Sequence, residues 1–297
     1  MDGPGFRFAV VCCRPQCRIM AQTLALIGFG EAGSTFAAAG GWGQRAGVWD
    51  VLPARRAAAE ALGLRVGGSA GEALAGAPLV LSLVTADRAL DAARDCAPLL
   101  APGALWCDMN SVAPGTKRAA AEAIAAAGGR YVDVAVLAPV HPARLGVPLL
   151  LAGAAAEEAE TLLRAAGFGQ VRIVGQAIGR ASAIKMIRSV MVKGLEALTA
   201  EMMLAAEAAG VVDEVLASLD ASEKALPWAA RAAYNVERMV THGARRAAEM
   251  AESAQTLREL GVEPIMTAGT VRRQSEMAGR TDLLIEPAID TMKGTGA

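Results

Sequence analysis

The sequence has few aromatic residues, only two histidines, and no apolar run near the roughly 18 residues that span a bilayer. No membrane span is therefore predicted. Acidic and basic side chains nearly cancel, at 30 and 29, which leaves a net charge of −1. This balance implies no general attraction to nucleic acid or to a membrane surface. Hydrophobic residues make up 54%, enough for a sizeable core, and this length predicts two domains of roughly 100–200 residues each.

Cysteine is also scarce, and its positions favour neither a disulfide framework nor a metal site. Cys12, Cys13 and Cys17 match no four-ligand zinc spacing, and Cys96 and Cys107 lie far apart. The sequence has no H-x-x-x-H motif and no clustered carboxylates, so no metal ligands are predicted. Reduced thiols of this kind are typical of a cytoplasmic protein.

The segment 1–22 is predicted to lie outside the folded domains. Its apolar run, residues 8–13, is short, an acidic residue (Asp2) lies upstream of it, and no small-residue cleavage site follows, which disfavours a secretory signal. We expect either a loose tail or an upstream start, with Met20 as the working initiator.

The remaining sequence changes its pattern near residue 179. Before it, apolar runs alternate with alanine-rich helical stretches, and six runs are predicted as strands: 23–27, 46–50, 79–84, 104–109, 131–136 and 148–153. This alternation predicts an α/β fold over 23–178, a Rossmann domain whose doubly wound sheet is mostly parallel. After residue 179 no strand-like run appears, so 179–297 are predicted to form an all-helical domain.

A glycine-rich loop follows the first predicted strand and matches G-x-G-x-x-G. Its six residues are Gly28, Phe29, Gly30, Glu31, Ala32 and Gly33. The first glycine permits the turn, the second lets a pyrophosphate approach the backbone, and the third lets the following helix pack on the strand. The N-terminus of that helix then faces the phosphates. The loop therefore predicts a dinucleotide-binding site.

The residue that ends the second predicted strand bears on the choice of cofactor. Asp50 lies 22 positions after Gly28, where an acidic side chain bonds the adenosine ribose hydroxyls. A carboxylate at this position repels a ribose 2′-phosphate, so NAD is favoured. NADP stays possible, because Arg55 and Arg56 follow closely and could reach such a phosphate.

A lysine interrupts a long helical stretch, 181–198, that otherwise reads as apolar. Lys185 lies on a polar stripe beside a face of isoleucine, methionine and leucine residues. A lysine sheltered from water has a lowered pKa and can carry a proton near neutral pH. The alternative is a structural lysine that extends from an interhelical face into solvent.

The order of these features resembles the β-hydroxyacid dehydrogenase family, which includes 6-phosphogluconate dehydrogenases, over about residues 23–280. The family combines a Rossmann domain with a helical domain and is commonly dimeric. The resemblance implies cofactor contacts for Val84 and Thr85 in SLVTADRAL and for Asn110 in DMNSVAP, with Ser111 of that segment at the substrate. It also places Lys185, in GQAIGRASAIKMIRS, at the position of the catalytic lysine.

The sequence departs from the family at several substrate positions. Ser189 stands where the family has an asparagine, and a segment with His141 replaces the serine and paired glycines that hold a substrate carboxylate. The family's late Lys-Asp pair falls on Ala248 and Glu249, with Arg245 one turn earlier to replace the lost charge. These departures resemble a subgroup with a divergent 6-phosphogluconate-dehydrogenase-like C-terminal domain.

These observations predict an NAD(P)-dependent oxidoreductase that interconverts a hydroxyl and a carbonyl on a small, anionic, hydroxy-acid-like substrate. Lys185 is the predicted proton carrier with Ser189, and the predicted substrate residues are Ser111, His141, Arg245 and Glu249. Because the long helix is apolar over more than one face, we expect a homodimer. The alternatives are an imine-reductase-like enzyme, which the retained lysine disfavours, and a non-catalytic dinucleotide-binding regulator.

A late helix also carries a basic face, formed by Arg238, His242, Arg245 and Arg246 with Glu249 at three- and four-residue spacing. A solvated face with internal ion pairs explains such a run. The functional alternative is that the arginines bind a carboxylate or phosphate of the substrate.

Overall fold

A computed structural model of the chain describes residues 24–222 and 227–284. The chain divides into two compact units, Met1–Arg188 and Ser189–Ala297. The predicted tail, 1–22, lies outside the described residues. In the part of the chain that is described, no helix is both long and apolar enough to cross a membrane.

The first unit is built on one eight-stranded sheet in the order β3-β2-β1-β4-β5-β6-β7-β8. All neighbouring strands are parallel except β6 and β7, which pair antiparallel. The order of the first six strands is that of the Rossmann fold, which confirms the predicted fold class. The strands are β1 Leu24–Ile27, β2 Ala46–Trp49, β3 Arg65–Val66, β4 Leu79–Ser82, β5 Leu105–Asp108, β6 Arg130–Val136, β7 Pro148–Ala152 and β8 Gln170–Gly175.

Six helices connect these strands, and a seventh continues from the first unit into the second. The helices of the sheet unit are α1 Glu31–Gly40, α2 Pro53–Ala61, α3 Ala70–Leu74, α4 Ala89–Cys96, α5 Pro114–Ala126 and α6 Ala156–Ala165. The later helices are α7 Arg180–Ala209, α8 Val212–Ser222, α9 Trp228–Glu259 and α10 Ile265–Met277.

The central strands are apolar on both faces, because helices cover both sides of a parallel sheet. Successive residues of a strand point to opposite faces, and β1 accordingly contributes Leu24 and Leu26 to one hydrophobic core and Ala25 and Ile27 to the other. Because β1, β2, β4 and β5 run parallel, their carboxyl ends lie at the same edge of the sheet, where the glycine loop begins.

The six predicted strands are all present, and two further strands were not predicted. β3 has only two residues, and β8 lies at the edge of the sheet with a mostly exposed or half-buried pattern. Neither segment buries enough side chains to produce a continuous apolar run, which was the signal used for the other strands.

In the second unit, α9 and α10 pack closely at a glycine. A Cβ atom added to Gly243 would lie 2.3 Å from the carbonyl oxygen of Gln274, so only glycine allows this approach of the two helices. Glu201 on α7 caps the other end of α10: its carboxylate accepts hydrogen bonds from the N–H groups of Met266 (2.7 Å) and Thr267 (2.8 Å) and from the Thr267 hydroxyl (2.6 Å).

The Glu201 cap predicts a pH-dependent contribution to stability. Burial raises the pKa of this carboxyl, but the hydrogen bonds from Thr267, Met266 and Ile265 outweigh burial and hold the pKa below its ordinary value. A depressed folded-state pKa gives stability that is present above the unfolded-state pKa and is lost as the pH falls through the folded-state pKa. We expect Glu201→Gln to lower the free energy of unfolding at neutral pH by about 1–3 kcal/mol.

Urea unfolding at neutral and acidic pH measures this effect. The difference between the wild type and Glu201→Gln should narrow as the pH falls, because protonation removes the charge that the substitution also removes. A difference that stays constant with pH would contradict the assigned role of the carboxylate.

Candidate active site

The glycine loop has a steric reason for two of its three glycines, and the third faces open space. Gly28 adopts a φ of +93°, and a Cβ there would lie 2.6 Å from the carbonyl oxygen of Leu83. A Cβ on Gly33 would lie 2.8 Å from the Gly28 carbonyl oxygen, so α1 can pack against the loop only with glycine at that position. A Cβ on Gly30 would meet no atom within 4 Å. The open side of the loop is therefore at its middle glycine, where a pyrophosphate approaches the backbone.

A cavity of about 380 Å³ adjoins this loop. Its walls include Gly28, Gly30, Asp50, Val84 and Thr85, all of which the sequence had indicated as cofactor residues. Arg55, which the sequence had indicated as a residue that could reach a ribose 2′-phosphate, also lines the cavity. The sequence did not indicate several further lining residues, which are Trp49, Ala70, Arg88, Ala92, Asp95 and Cys96. The members of this group on α3 and α4 follow no recognisable motif, because ordinary helix surface becomes cavity wall only once the sheet is assembled.

Asp50 is held in place by the backbone on both sides. Its Oδ2 accepts a hydrogen bond from the N–H of Phe29 at 2.7 Å, and its Oδ1 accepts one from the N–H of Leu52 at 2.8 Å. Each carboxylate oxygen can accept a further bond. The side chain thus ties the end of β2 to the glycine loop and retains capacity for ribose hydroxyls.

The two arginines of α2, Arg55 and Arg56, make different contacts. Arg56 donates to the carbonyl oxygens of Asp50 (2.7 Å) and Val51 (3.1 Å), and its guanidinium lies 4.8 Å from the centre of the Trp49 ring. Arg55 lines the cavity. Of the two, Arg55 is the side chain positioned to meet a ligand there.

The loop after β5 carries the two polar residues expected beside the cofactor and substrate. Asn110 donates from Nδ2 to the hydroxyl of Ser82 at 2.9 Å, while its buried Oδ1 has no hydrogen-bond partner in the described part of the chain. An unpaired buried acceptor is costly unless a ligand supplies a donor. This orphaned atom and the open side of Gly30 together make the site suitable for a dinucleotide.

Lys185 forms a hydrogen bond with Ser111, the residue after Asn110 in the loop that follows β5. Its Nζ donates to the hydroxyl oxygen of Ser111 at 2.5 Å. Lys185 is half-buried and Ser111 is exposed, so the pair lies at the surface of the first unit, within reach of a small molecule. The structure therefore brings together the predicted proton carrier and a predicted substrate residue that are 74 positions apart.

A buried ionic network, which the sequence did not reveal as functional, contacts both the loop and the helix that carry this pair. Lys117 on α5 is 0% exposed. Its Nζ donates to the carbonyl oxygen (2.6 Å) and Oδ1 (2.9 Å) of Asp108 and lies 3.6 Å from Oδ1 of Asp133. The hydroxyl of Tyr131 donates to Asp108 Oδ2 at 2.6 Å, and burial together with the Asp108 charge raises the pKa of that hydroxyl.

The network joins the Ser111 loop to the helix that carries Lys185. Oδ1 of Asp108 accepts the N–H of Asn110 at 2.9 Å, and Oδ2 of Asp133 accepts the N–H groups of Gly179 (3.1 Å) and Ser182 (3.0 Å) at the start of α7. A carboxylate at a helix N-terminus satisfies free N–H groups there. Lys117 thus holds together the two carboxylates that position opposite sides of the Lys185–Ser111 pair.

The roles of the remaining predicted residues stay predictions. His141 is exposed, and its Nε2 lies 2.9 Å from the hydroxyl of Thr35 on α1. Ser189 follows Lys185 by one turn of α7. Arg245 is exposed on α9, in the second unit, and the side chain of Glu249 lies outside the described residues. Across 24–222 and 227–284, no group of three metal-ligating side chains is found.

Family comparison agrees with this geometry. Residues 23–175, more than half of the chain, match the NAD binding domain of 6-phosphogluconate dehydrogenase, and residues 206–277 match a domain of unknown function, DUF1932. A solved conserved hypothetical protein from Sinorhizobium meliloti is 38% identical, over 86% of this chain and 88% of its own, with a TM-score of 0.58.

Two further solved structures are similar. A conserved protein whose structure is described as similar to 3-hydroxyacid dehydrogenases is 28% identical, over 86% of this chain and 96% of its own, with a TM-score of 0.57. An imine reductase from Myxococcus stipitatus, solved with NAD+ as a variant and with NADP+, has a TM-score of 0.71 in both forms. Its identities of 20% and 19%, over 86% of this chain and 94% and 93% of its own, show a shared fold alone. The chain therefore belongs to the family defined by the NAD binding domain of 6-phosphogluconate dehydrogenase, and it has the fold of the hydroxyacid dehydrogenases.

Proposed function

We propose that the protein is an NAD-dependent oxidoreductase that interconverts a hydroxyl and a carbonyl on a small anionic hydroxy acid, with Lys185 as the proton carrier. The observation that carries this proposal is the hydrogen bond from Lys185 to Ser111. Ser111 lies on the loop that follows β5, and Asn110 of the same loop has a buried oxygen without a hydrogen-bond partner among the residues that the structure describes. A proton-carrying amine and the proposed cofactor cavity therefore belong to the same unit.

The chemistry divides between the cofactor and the chain. When bound, NAD supplies a nicotinamide that takes up or returns a hydride. Lys185 in its neutral form accepts the proton of the substrate hydroxyl, and in its charged form it returns that proton to a carbonyl oxygen. Ser111 orients the amine and accepts or donates one hydrogen bond at the substrate oxygen. The buried Lys117 network holds the loop and the helix so that the distance between the two side chains is fixed.

The proposal includes a location in the cytoplasm. Cys96 and Cys107 are both free, and burial raises the pKa of each thiol to about 12, so they are protonated and suited to a reducing cytoplasm.

We also propose that α7, which begins at Arg180, is the first helix of a domain that binds the substrate and forms the dimer. Ser189 and Arg245 belong to that domain, and their substrate contacts rest on the sequence alone.

We expect Asp50 to select NAD. Asp50→Ala should weaken NAD binding by about 1–3 kcal/mol, the cost of losing a charged hydrogen-bond acceptor, and should weaken NADP binding less. Fluorescence titration with each cofactor measures both affinities, and the melting temperature controls for the loss of the two backbone hydrogen bonds. Tighter binding of NADP than of NAD by the wild type would overturn the assignment. Arg55 would then be the selector, since Arg56 is already engaged with two carbonyl oxygens and Trp49.

We expect a homodimer, because α7 exposes apolar side chains that one chain leaves uncovered. Ile187 is 72% exposed and Val190 is 76% exposed. Met191, Val192, Leu195, Leu198 and Leu204 on the same helix are exposed as well. Exposed apolar side chains in this number on one helix favour an interaction site. Light scattering at micromolar concentration should give twice the chain mass, and a stable monomer would contradict the expectation.

A substrate panel tests the proposed function and its rivals together. The wild type with NAD and a series of small hydroxy acids should produce NADH, seen at the nicotinamide absorption band. Turnover only with cyclic imines and a reduced cofactor would instead favour imine reduction. Tight cofactor binding with no turnover on either panel would favour a non-catalytic regulator.

A further inference from the structure

The helical unit contains a polar groove that the proposed function does not use. Its volume is about 530 Å³, and it lies where α9 faces α10. Its lining residues are Tyr234, Asn235, Arg238, Met239, Arg246 and Gln274. We propose that this groove binds a small organic dianion that also carries a hydroxyl or amino hydrogen-bond donor. This inference goes beyond the proposed function and does not rest on it.

Two arginines give the groove its preference for anions. Arg238 and Arg246 are both half-buried. Within the described residues neither forms an ion pair. Arg238 donates a hydrogen bond to the phenol oxygen of Tyr234 at 3.2 Å, and its guanidinium lies 5.5 Å from the centre of that ring. Two guanidinium groups that line one groove without an ion-pair partner among the described residues attract an anion, and each can form a bidentate pair with it.

The spacing of the arginines favours two anionic groups on one ligand. Positions 238 and 246 are eight residues apart on α9, which corresponds to roughly 12 Å along a helix axis. Side chains that start so far apart approach a ligand from its two ends. A dicarboxylate satisfies both arginines, whereas a monocarboxylate leaves one of them unpaired.

The buried side-chain amide of Gln274 on α10 requires the ligand to carry a hydrogen-bond donor. Gln274 is 7% exposed, and its Oε1 is buried with no hydrogen-bond partner among the described residues. An acceptor in that state costs free energy unless a ligand donates to it. Because Gln274 lines the same groove as the two arginines, one molecule can meet all three groups. The exposed neighbour Arg245, which the sequence had favoured, is outside the lining.

Three simple acids separate the two requirements in a calorimetric binding experiment without cofactor. Malate has two carboxylates and a hydroxyl, succinate lacks the hydroxyl, and lactate lacks one carboxylate. We expect malate to bind the full-length protein most tightly, and succinate and lactate each about tenfold or more weaker, because succinate leaves the buried oxygen of Gln274 unpaired and lactate leaves one arginine without a carboxylate.

Variants assign the binding to the groove. Arg238→Ala and Arg246→Ala should each weaken malate binding about tenfold or more, and Gln274→Leu should abolish the preference for malate over succinate. Arg258→Ala is the matched control, because Arg258 is exposed on the same helix outside the groove. Should a variant lose its fold by circular dichroism, Arg246→Gln and Gln274→Met replace it. Failure of the wild type to bind malate, equal affinity for the three acids, or equal loss with Arg258→Ala would overturn the proposal.

Discussion

Lys185→Met should retain the fold and the affinity for NAD but lose turnover by roughly 10²–10⁴-fold, the usual contribution of a general acid–base group. Methionine keeps the length and apolar stem of the side chain, whereas the amine that donates to Ser111 is lost. Because only the proton carrier is removed, kcat should fall far more than the affinity for NAD changes. Steady-state kinetics on the best hydroxy acid, with a parallel cofactor titration, measure both quantities.

Lys193→Met is the matched control, since it makes the same substitution two turns further along α7. We expect it to turn over at the wild-type rate. If Lys185→Met also keeps that rate, the lysine is not the proton carrier. His141 and His242 would then become the candidates, and Ser111 would lose its assigned role as the group that orients the amine.

Lys117→Met should lower the free energy of unfolding by about 3–5 kcal/mol, because it leaves two carboxylates buried without their counter-charge. Asp108 and Asp133 both rely on this ammonium, and each also fixes backbone beside the Lys185–Ser111 pair. A loss of this size is a large share of the stability of an ordinary domain. Chemical denaturation at neutral pH measures the loss directly.

Arg94→Met provides the control for that measurement. Arg94 is exposed on α4, and removal of a surface charge typically changes stability by no more than about 0.5 kcal/mol. A Lys117→Met protein as stable as Arg94→Met would show that the buried network does not depend on its lysine. The double variant Lys117→Met with Asp108→Asn should recover part of the lost stability, because one of the stranded charges is gone.

The cofactor half of the site was predictable because its determinants are local. The glycine loop, the strand before it and the acid at the end of β2 lie within 24–50, and each has a steric or electrostatic reason that acts over a few residues. A helix over 181–198 was predictable for the same reason, because its apolar pattern is regular; α7 runs from Arg180 to Ala209, and Gly210 follows. Lys185 needed the family resemblance in addition, because a lone lysine on a helix is ambiguous.

The ionic network behind the site depends on tertiary packing, and this is why the sequence did not reveal it. Asp108 and Asp133 look like ordinary strand residues until β5 and β6 pair in register. One signal was present: Lys117, Ala120 and Ile124 follow helical spacing, and all three are buried on α5. A lysine on the buried stripe of an alanine-rich helix therefore indicates a charged partner within the core. For the groove between α9 and α10, the sequence indicated the basic face of α9, which supplies Arg238 and Arg246, but not the acceptor Gln274, which comes from a different helix.

Transfer of hydride between NAD and a small hydroxy acid, followed at the nicotinamide absorption band with purified wild-type protein, is the decisive test of the proposed activity. We expect NADH formation with at least one small anionic hydroxy acid, faster with NAD than with NADP, and reduced by roughly 10²–10⁴-fold in Lys185→Met. NADH formation at the same rate in wild type and Lys185→Met, or no turnover of any hydroxy acid by a wild type that binds NAD, would contradict it.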